Sequence, residues 1–165
     1  MNIPRFSRYV LAALSLFLAV ACQTPPPPPP GLTPEQISKL KSSGFSETDE
    51  GWALNLDARL LFDTSSAALN QREQDSLKKI ANTLISIGIA DIIIEGHTDS
   101  TGSEQYNREL SRKRAEMVAD YLASDGMSRE HMQIEAKGSS SPIASNTTRE
   151  GRTENRRTVI IIPMK

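Results

Sequence analysis

The chain has 165 residues, with 19 Lys and Arg against 20 Asp and Glu, ten prolines and a single cysteine. That length suits one domain with tails, and one cysteine excludes an intramolecular disulfide framework and any multi-cysteine zinc or iron–sulfur site. Near-neutral charge argues against a general nucleic-acid binder, which needs a basic surface, while 38% hydrophobic and 5% aromatic residues predict a modest, aliphatic core.

Arg5 and Arg8 precede an almost wholly apolar run, Tyr9–Ala21. It is shorter than the roughly 20 residues a membrane span needs but fits the core of a signal peptide. The run ends in Leu18-Ala19-Val20-Ala21-Cys22, which resembles the bacterial lipobox with its Leu one position further from the cysteine than usual. The resemblance implies a signal peptide at 1–21 and a lipid on the sulfur of Cys22. With Gln rather than Asp at position 23, it also implies sorting to the outer membrane, facing the periplasm. The alternative is an ordinary secretory signal that holds a free cysteine. Loss of the leader would leave 17 basic and 20 acidic groups, a net charge of −3, so membrane attachment has to be covalent rather than electrostatic. Pro25–Pro30 predicts a polyproline II rod rising about 3.1 Å per residue. It reads as a spacer rather than as a PxxP ligand.

Thr33-Pro34-Glu35-Gln36 predicts a helix start with a capping box and Pro at its first position. Ile37 and Leu40 supply a short apolar stripe, and Gly44 ends the helix. Phe45 follows, and then Trp52, Leu54 and Leu56 alternate as in a strand. This apolar stretch either packs on the domain or docks a partner, with Leu40, Phe45 and Trp52 as the candidate partner-binding residues. The expected boundaries are a lipidated spacer with a short helix at 22–50 and the folded domain at 51–165.

A strand at Leu60–Asp63 and a polar loop, Thr64-Ser65-Ser66, are expected next. Asn70 then caps a helix whose core face is Leu77, Ile80, Ala81 and Leu84. Ile92–Ile94 predicts a central strand covered by helices. After the loop Thr98–Gly102 a second helix runs to about Asp125. Met132–Ala136 and Thr158–Ile162 predict strands, with a short helix inside Thr147–Glu154. The alternation predicts an α/β fold, a two-layer sandwich of a mixed sheet and helices.

Polar residues concentrate in three segments: Glu95–Gly102, Asn107–Ala115 and Gly151–Arg157. Leu110, Arg114, Val118 and Leu122 recur every four residues, so Arg114 lies in or beside the apolar stripe of its helix. A guanidinium there needs an anionic partner or ligand. Asp99, at a strand end, is a plausible neighbour, and a structural salt bridge between helix and loop is the plain alternative. The alternating Glu95, His97 and Asp99 raise a metal site, but His131 is distant in sequence and a structural imidazole is the commoner outcome. Ser100 beside His97 and Asp99 makes no catalytic triad, because neighbours on one strand cannot converge. Gly96 and Gly102 lack phosphate-loop spacing. A binding module is expected rather than an enzyme, with no cofactor.

The ordered set G-H-T-D-S-T-G, N-x-x-L-S-x-x-R-A, P-I-A-x-N and G-R-x-x-N-R-R resembles the OmpA-like domain over about residues 50–163. The resemblance implies non-covalent peptidoglycan binding through the diaminopimelate of the stem peptide. Asp99 would take its ammonium and Arg114 its carboxylate, with Thr101, Asn107 and Arg156 as further contacts. Ser65 falls where the family often has Asn. Further upstream, Leu32–Ile37, Gly44-Phe45, Gly51-Trp52 and Leu61-Phe62 are similar to a group of outer-membrane lipoproteins that capture a periplasmic inhibitor of an inner-membrane diguanylate cyclase. The expected partners are therefore peptidoglycan, the outer membrane through a lipid anchor, such an inhibitor protein and a second copy in a homodimer, but no nucleic acid. A purely structural tether between membrane and wall is the alternative.

Overall fold

The computed structural model describes residues 31–57 and 71–164. Cys22, the proline run, the expected strand at Leu60–Asp63, Ser65 and the Asn70 cap lie outside the described residues. Within them the elements are α1 (Pro34–Ser42), β1 (Ser46–Thr48), β2 (Gly51–Asp57), α2 (Gln71–Ser86), β3 (Ile92–His97), α3 (Glu104–Ser124), a single 3₁₀ turn (Arg129–His131), β4 (Met132–Gly138), α4 (Arg149–Asn155) and β5 (Arg157–Pro163). The strands form one mixed sheet ordered β1-β2-β5-β3-β4. β3 and β4 run parallel, joined by α3, and the other neighbours pair antiparallel. The mixed sheet with helices is the architecture expected from the alternation of elements.

Local chemistry sets the helix ends. Thr33 and Gln36 close the predicted capping box, Thr33 N–H donating to Gln36 Oε1 at 2.8 Å and Gln36 N–H to Thr33 Oγ1 at 3.2 Å. Gly44, with φ of 91°, turns the chain out of α1 in a conformation other residues avoid. Helix α2 buries the expected Leu77, Ile80, Ala81 and Leu84. These meet Ile92 and Ile94 of β3, Ile160 and Ile162 of β5 and the Ala115, Val118, Ala119 and Leu122 stripe of α3 in the main core. The other face of the sheet carries a smaller cluster, Ala53, Val159 and Ile161, with Ile93 beside it.

Residues 31–50 belong to this packed unit. Leu40 is 0%, Phe45 3% and Trp52 4% exposed, all within the main core. Gln36 Nε2 donates to the Ile87 carbonyl at 2.7 Å, and β1 pairs with β2. This packing bears on two readings of the sequence. Packing does not begin at residue 51, because α1 and β1 share the core. Of the two readings of this apolar stretch, packing on the domain or docking a partner, Leu40, Phe45 and Trp52 follow the first: the amphipathic face of α1 and the inward side of β2 share one core. Leu40→Ala should therefore destabilise the whole domain by about 2–5 kcal/mol, read as one cooperative melting transition at lower temperature. A variant that melts like wild type would mean that α1 is only laid on the surface.

Candidate functional site

The site is built where α3 presses onto β3. A Cβ on Gly96 would stand 1.9 Å from the Ser111 carbonyl oxygen, so only glycine lets helix and strand approach this closely. Ser111 is fully buried; its hydroxyl donates to the Arg108 carbonyl at 2.8 Å and accepts from Gly138 N–H at 3.0 Å. At the same end the β3–β4 register slips, Gly96 facing Ala136 while His97 faces Gly138. The extra residue re-aims the chain as bulges beside functional sites often do. Thr98 N–H then donates to the Gly138 carbonyl at 2.8 Å. Strand, bulge and helix thus fix the start of the loop that carries Asp99.

Asp99 is 7% exposed, and both its carboxylate oxygens are engaged. Oδ1 accepts from Thr101 N–H at 2.8 Å, and Oδ2 accepts from Arg156 Nη1 at 2.6 Å. Burial pushes the carboxyl upward, but the hydrogen bonds from Arg156 and Thr101 outweigh it and hold Asp99 below its ordinary pKa. Arg156 Nη2 also donates to Thr153 Oγ1 at 2.9 Å, so the guanidinium is aimed from both sides. Asn107, 2% exposed, donates from Nδ2 to the Thr101 carbonyl at 3.0 Å and so braces the loop. Arg114 is half-buried. Burial and the nearby charge of Arg156 lower its pKa, while Tyr106 and Asp99 oppose that shift. Arg112 and Lys113, its neighbours in the helix, are exposed.

The Gly151–Arg157 segment divides its labour. A Cβ on Gly151 would come within 2.1 Å of the Ser145 carbonyl oxygen, so glycine lets α4 start against that loop. Arg152 Nη1 donates to the carbonyls of Asn146 and Thr147, at 2.9 and 3.2 Å. Asn155, fully buried, accepts from the N–H groups of Ile143 and Ala144 and donates to the Ala144 carbonyl and to Asn146 Oδ1. Asn146 Oδ1 in turn accepts from Ser100 N–H at 3.2 Å, clamping this loop to the Asp99 loop. Ser111, Asn146 and Asn155 stood in the sequence only as motif positions. Their signal was a small or amide residue at a fixed place, without the periodicity that marks a core position.

Structure places Asp99, Thr101, Asn107 and Arg156 in one hydrogen-bonded cluster, with Arg114 in electrostatic contact with it. The ion pair made by Asp99 goes to Arg156, 57 residues away, and not to Arg114 as in the plain alternative of a structural salt bridge. Glu95 and His97 turn from Asp99 to form their own pair at 3.0 Å, and Glu95 also meets Lys137 at 3.0 Å. The His97 hydrogen bond, aided by Lys137 and opposed by burial, holds Glu95 below its ordinary pKa. Among the described residues no cluster of three or more His, Cys, Asp or Glu has the arrangement of a metal site, and no helix is long and apolar enough to cross a membrane. A separate groove of about 370 Å³ lies at the opposite end of the sheet, lined by Leu32, Ile37, Trp52, Ile89, Ile162 and Pro163 among others.

Removing Arg156 while leaving Asp99 buried should reverse the balance at that carboxyl. In a carbon-detected NMR titration, Asp99 should protonate below the ordinary aspartate range in wild type and well above its wild-type value in Arg156→Ala. With its folded pKa depressed, Asp99 contributes stability that is complete above the unfolded value and is lost as pH falls through the folded one. Acidification through that window should therefore lower the melting temperature of wild type more than that of the variant.

Comparison with known proteins agrees with this geometry. The OmpA family model matches residues 61–156. The chain is 44% identical to the outer-membrane lipoprotein YfiB of Pseudomonas aeruginosa, over 93% of this chain and 91% of that protein. It is 41% identical to the peptidoglycan-binding protein ArfA of Mycobacterium tuberculosis, over 62% of this chain but 32% of that longer protein. Among solved structures, the peptidoglycan-associated lipoprotein of Burkholderia pseudomallei superposes with a TM-score of 0.56 at 30% identity, covering 62% of this chain and 86% of that one. The outer-membrane lipoprotein location read from the leader accords with the relative matched over nearly its whole length. None of these relatives is named for catalysis.

Proposed function

Because the chain belongs to the OmpA family, we propose that it is a lipid-anchored outer-membrane protein that binds peptidoglycan non-covalently, holding the free zwitterionic end of diaminopimelate at the Asp99 site. The observation that carries this reading is the charge pattern of one partly buried cluster: one carboxylate, Asp99, beside two guanidiniums, Arg114 and Arg156. Among the described residues it sets two cations beside one carboxylate, which suits a ligand that brings a carboxylate. An isolated ammonium would meet two cations, whereas a carbon bearing both groups can fork its carboxylate onto Arg114 and lay its ammonium on Asp99. The two arginines repel each other across the site, and a bound carboxylate relieves that repulsion. Thr101 and Asn107 serve by holding the loop in shape. Cys22 is the attachment point, and the proline run is the stand-off between lipid and domain.

A second reading extends the first. In a chain so similar to YfiB, wall binding can localise the capture of a periplasmic, YfiR-like inhibitor, which would release an inner-membrane diguanylate cyclase, raise cyclic-di-GMP and favour surface attachment. The feature that favours it over a plain tether is that α1 and β1 are built onto the sheet end opposite the Asp99 site. Leu40, Phe45 and Trp52 would support that surface from beneath, and the exposed residues above them, including Lys41 and Glu47, would meet the partner.

Arg114→Ala should abolish pull-down of the protein by purified sacculi while leaving its circular-dichroism spectrum intact. Asp99→Ala should do the same at some cost in stability, since it leaves Arg156 and Arg114 facing each other in a partly buried site. Retention of wall binding by both variants would overturn the site. Lys41→Glu combined with Glu47→Lys should reduce periplasmic co-purification of the inhibitor and leave sacculus binding unchanged. Equal recovery of the inhibitor would favour the tether.

A further inference from the structure

Tyr106 stands at this site without a role in the account above. It is 58% exposed, one of four large hydrophobic side chains that face solvent among the described residues, with Ile85, Ile143 and Met164. Single exposed apolar residues are ordinary, so placement decides. Tyr106 sits in the first turn of α3 and continues the four-residue row of Leu110 and Arg114 along the helix. Its N–H donates to the Ser103 cap at 3.2 Å, which fixes its backbone. Its ring lies against Gly102 in the Asp99 loop, where an added Cβ would come 3.3 Å from Cδ1 and 3.9 Å from Cε1. Arg114 follows Tyr106 by about two turns on that same row. Ile143 belongs to the loop that Asn146 and Asn155 clamp to Ser100. Two of the four exposed hydrophobics therefore rise from segments tied directly to the Asp99 loop.

Ligand chemistry supplies the match. The zwitterionic end of diaminopimelate is joined to the stem peptide by a short methylene chain. Charged contacts alone would leave that chain in water and the ion pairs open to screening by salt. An aromatic ring over the Asp99 loop, on the helix row that carries Arg114, can cover the methylenes and exclude water from the charges at once. We infer that Tyr106 is a further binding residue of this site, its exposed ring covering the methylene chain of the diaminopimelate held by Asp99 and Arg114. This inference rests on the peptidoglycan reading, and Gly102 is the position that lets the ring lie over the loop.

The test uses the full-length chain in detergent and two soluble probes: the tripeptide L-alanyl-D-isoglutamyl-meso-diaminopimelate, and the same tripeptide carrying its disaccharide. Calorimetry should show that Tyr106→Ala binds both probes about tenfold more weakly than wild type, as expected for loss of one aromatic contact. Its affinity should also fall more steeply with salt, while Tyr106→Phe binds close to wild type. Equal tripeptide affinity for wild type and Tyr106→Ala would overturn the inference and leave the peptidoglycan reading standing. A loss seen only with the disaccharide probe would overturn it too, assigning the ring to the glycan. No binding of either probe by wild type would overturn the peptidoglycan reading itself.

Discussion

The close approach of α3 to β3 at Gly96 is the constraint on which the site depends. With the Ser111 carbonyl oxygen where a side chain at Gly96 would stand, the helix cannot ride higher without losing the Ser111 bond to Gly138. That bond holds the bulge, and the bulge carbonyl holds Thr98. Asp99 comes from the strand side of this contact and Arg114 from the helix side. Their relative position is therefore set by backbone packing rather than by side chains free to choose rotamers. An arrangement of this kind loses little conformational freedom when a ligand arrives.

Charge explains how the cluster is held together by its own residues. Asp99 would be costly to bury alone, and Arg156 together with Thr101 N–H offsets that cost. Arg114 is the group that burial and a like-charged neighbour make less comfortable. In the proposed capture, a carboxylate would join the two arginines and an ammonium would join Asp99. The braces around the cluster, Asn107, Asn146, Asn155 and Arg152, bond mainly to backbone. They keep the loops from collapsing onto the charges.

Much of the fold was legible where local chemistry decides. The Thr33–Gln36 capping box, the Leu77-to-Leu84 stripe and the β-branched run before Pro163 each contain their own instructions. Two things were not legible. The apolar side chains of Leu40, Phe45 and Trp52 declare that something covers them, but not whether that is their own sheet or another protein. Asp99 had two arginines to choose between, and the helical row of α3 drew attention to Arg114. Arg156 follows a seven-residue helix, too short for a period to show which way its side chain faces. Only the tertiary fold, closing β5 beside β3, brings it across 57 positions. Non-local pairs of this kind leave no mark in local sequence pattern.

The two ends of the sheet have different neighbours. Gly31, the first described residue, borders the groove beside Ile162 and Met164, whereas Asp99 and Arg156 lie beyond the other end of the same strands, roughly 20 Å away along β5. If the lipid pulls at Gly31 and the wall holds Asp99, tension runs along the strand direction. β2 and β5 pair antiparallel from Gly51 and Pro163 to Asp57 and Arg157, so a force along them loads the ladder in shear. Its hydrogen bonds must then fail together rather than peel in turn. Under that loading, the topology that separates the two ends would share the mechanical strength across a whole strand pair.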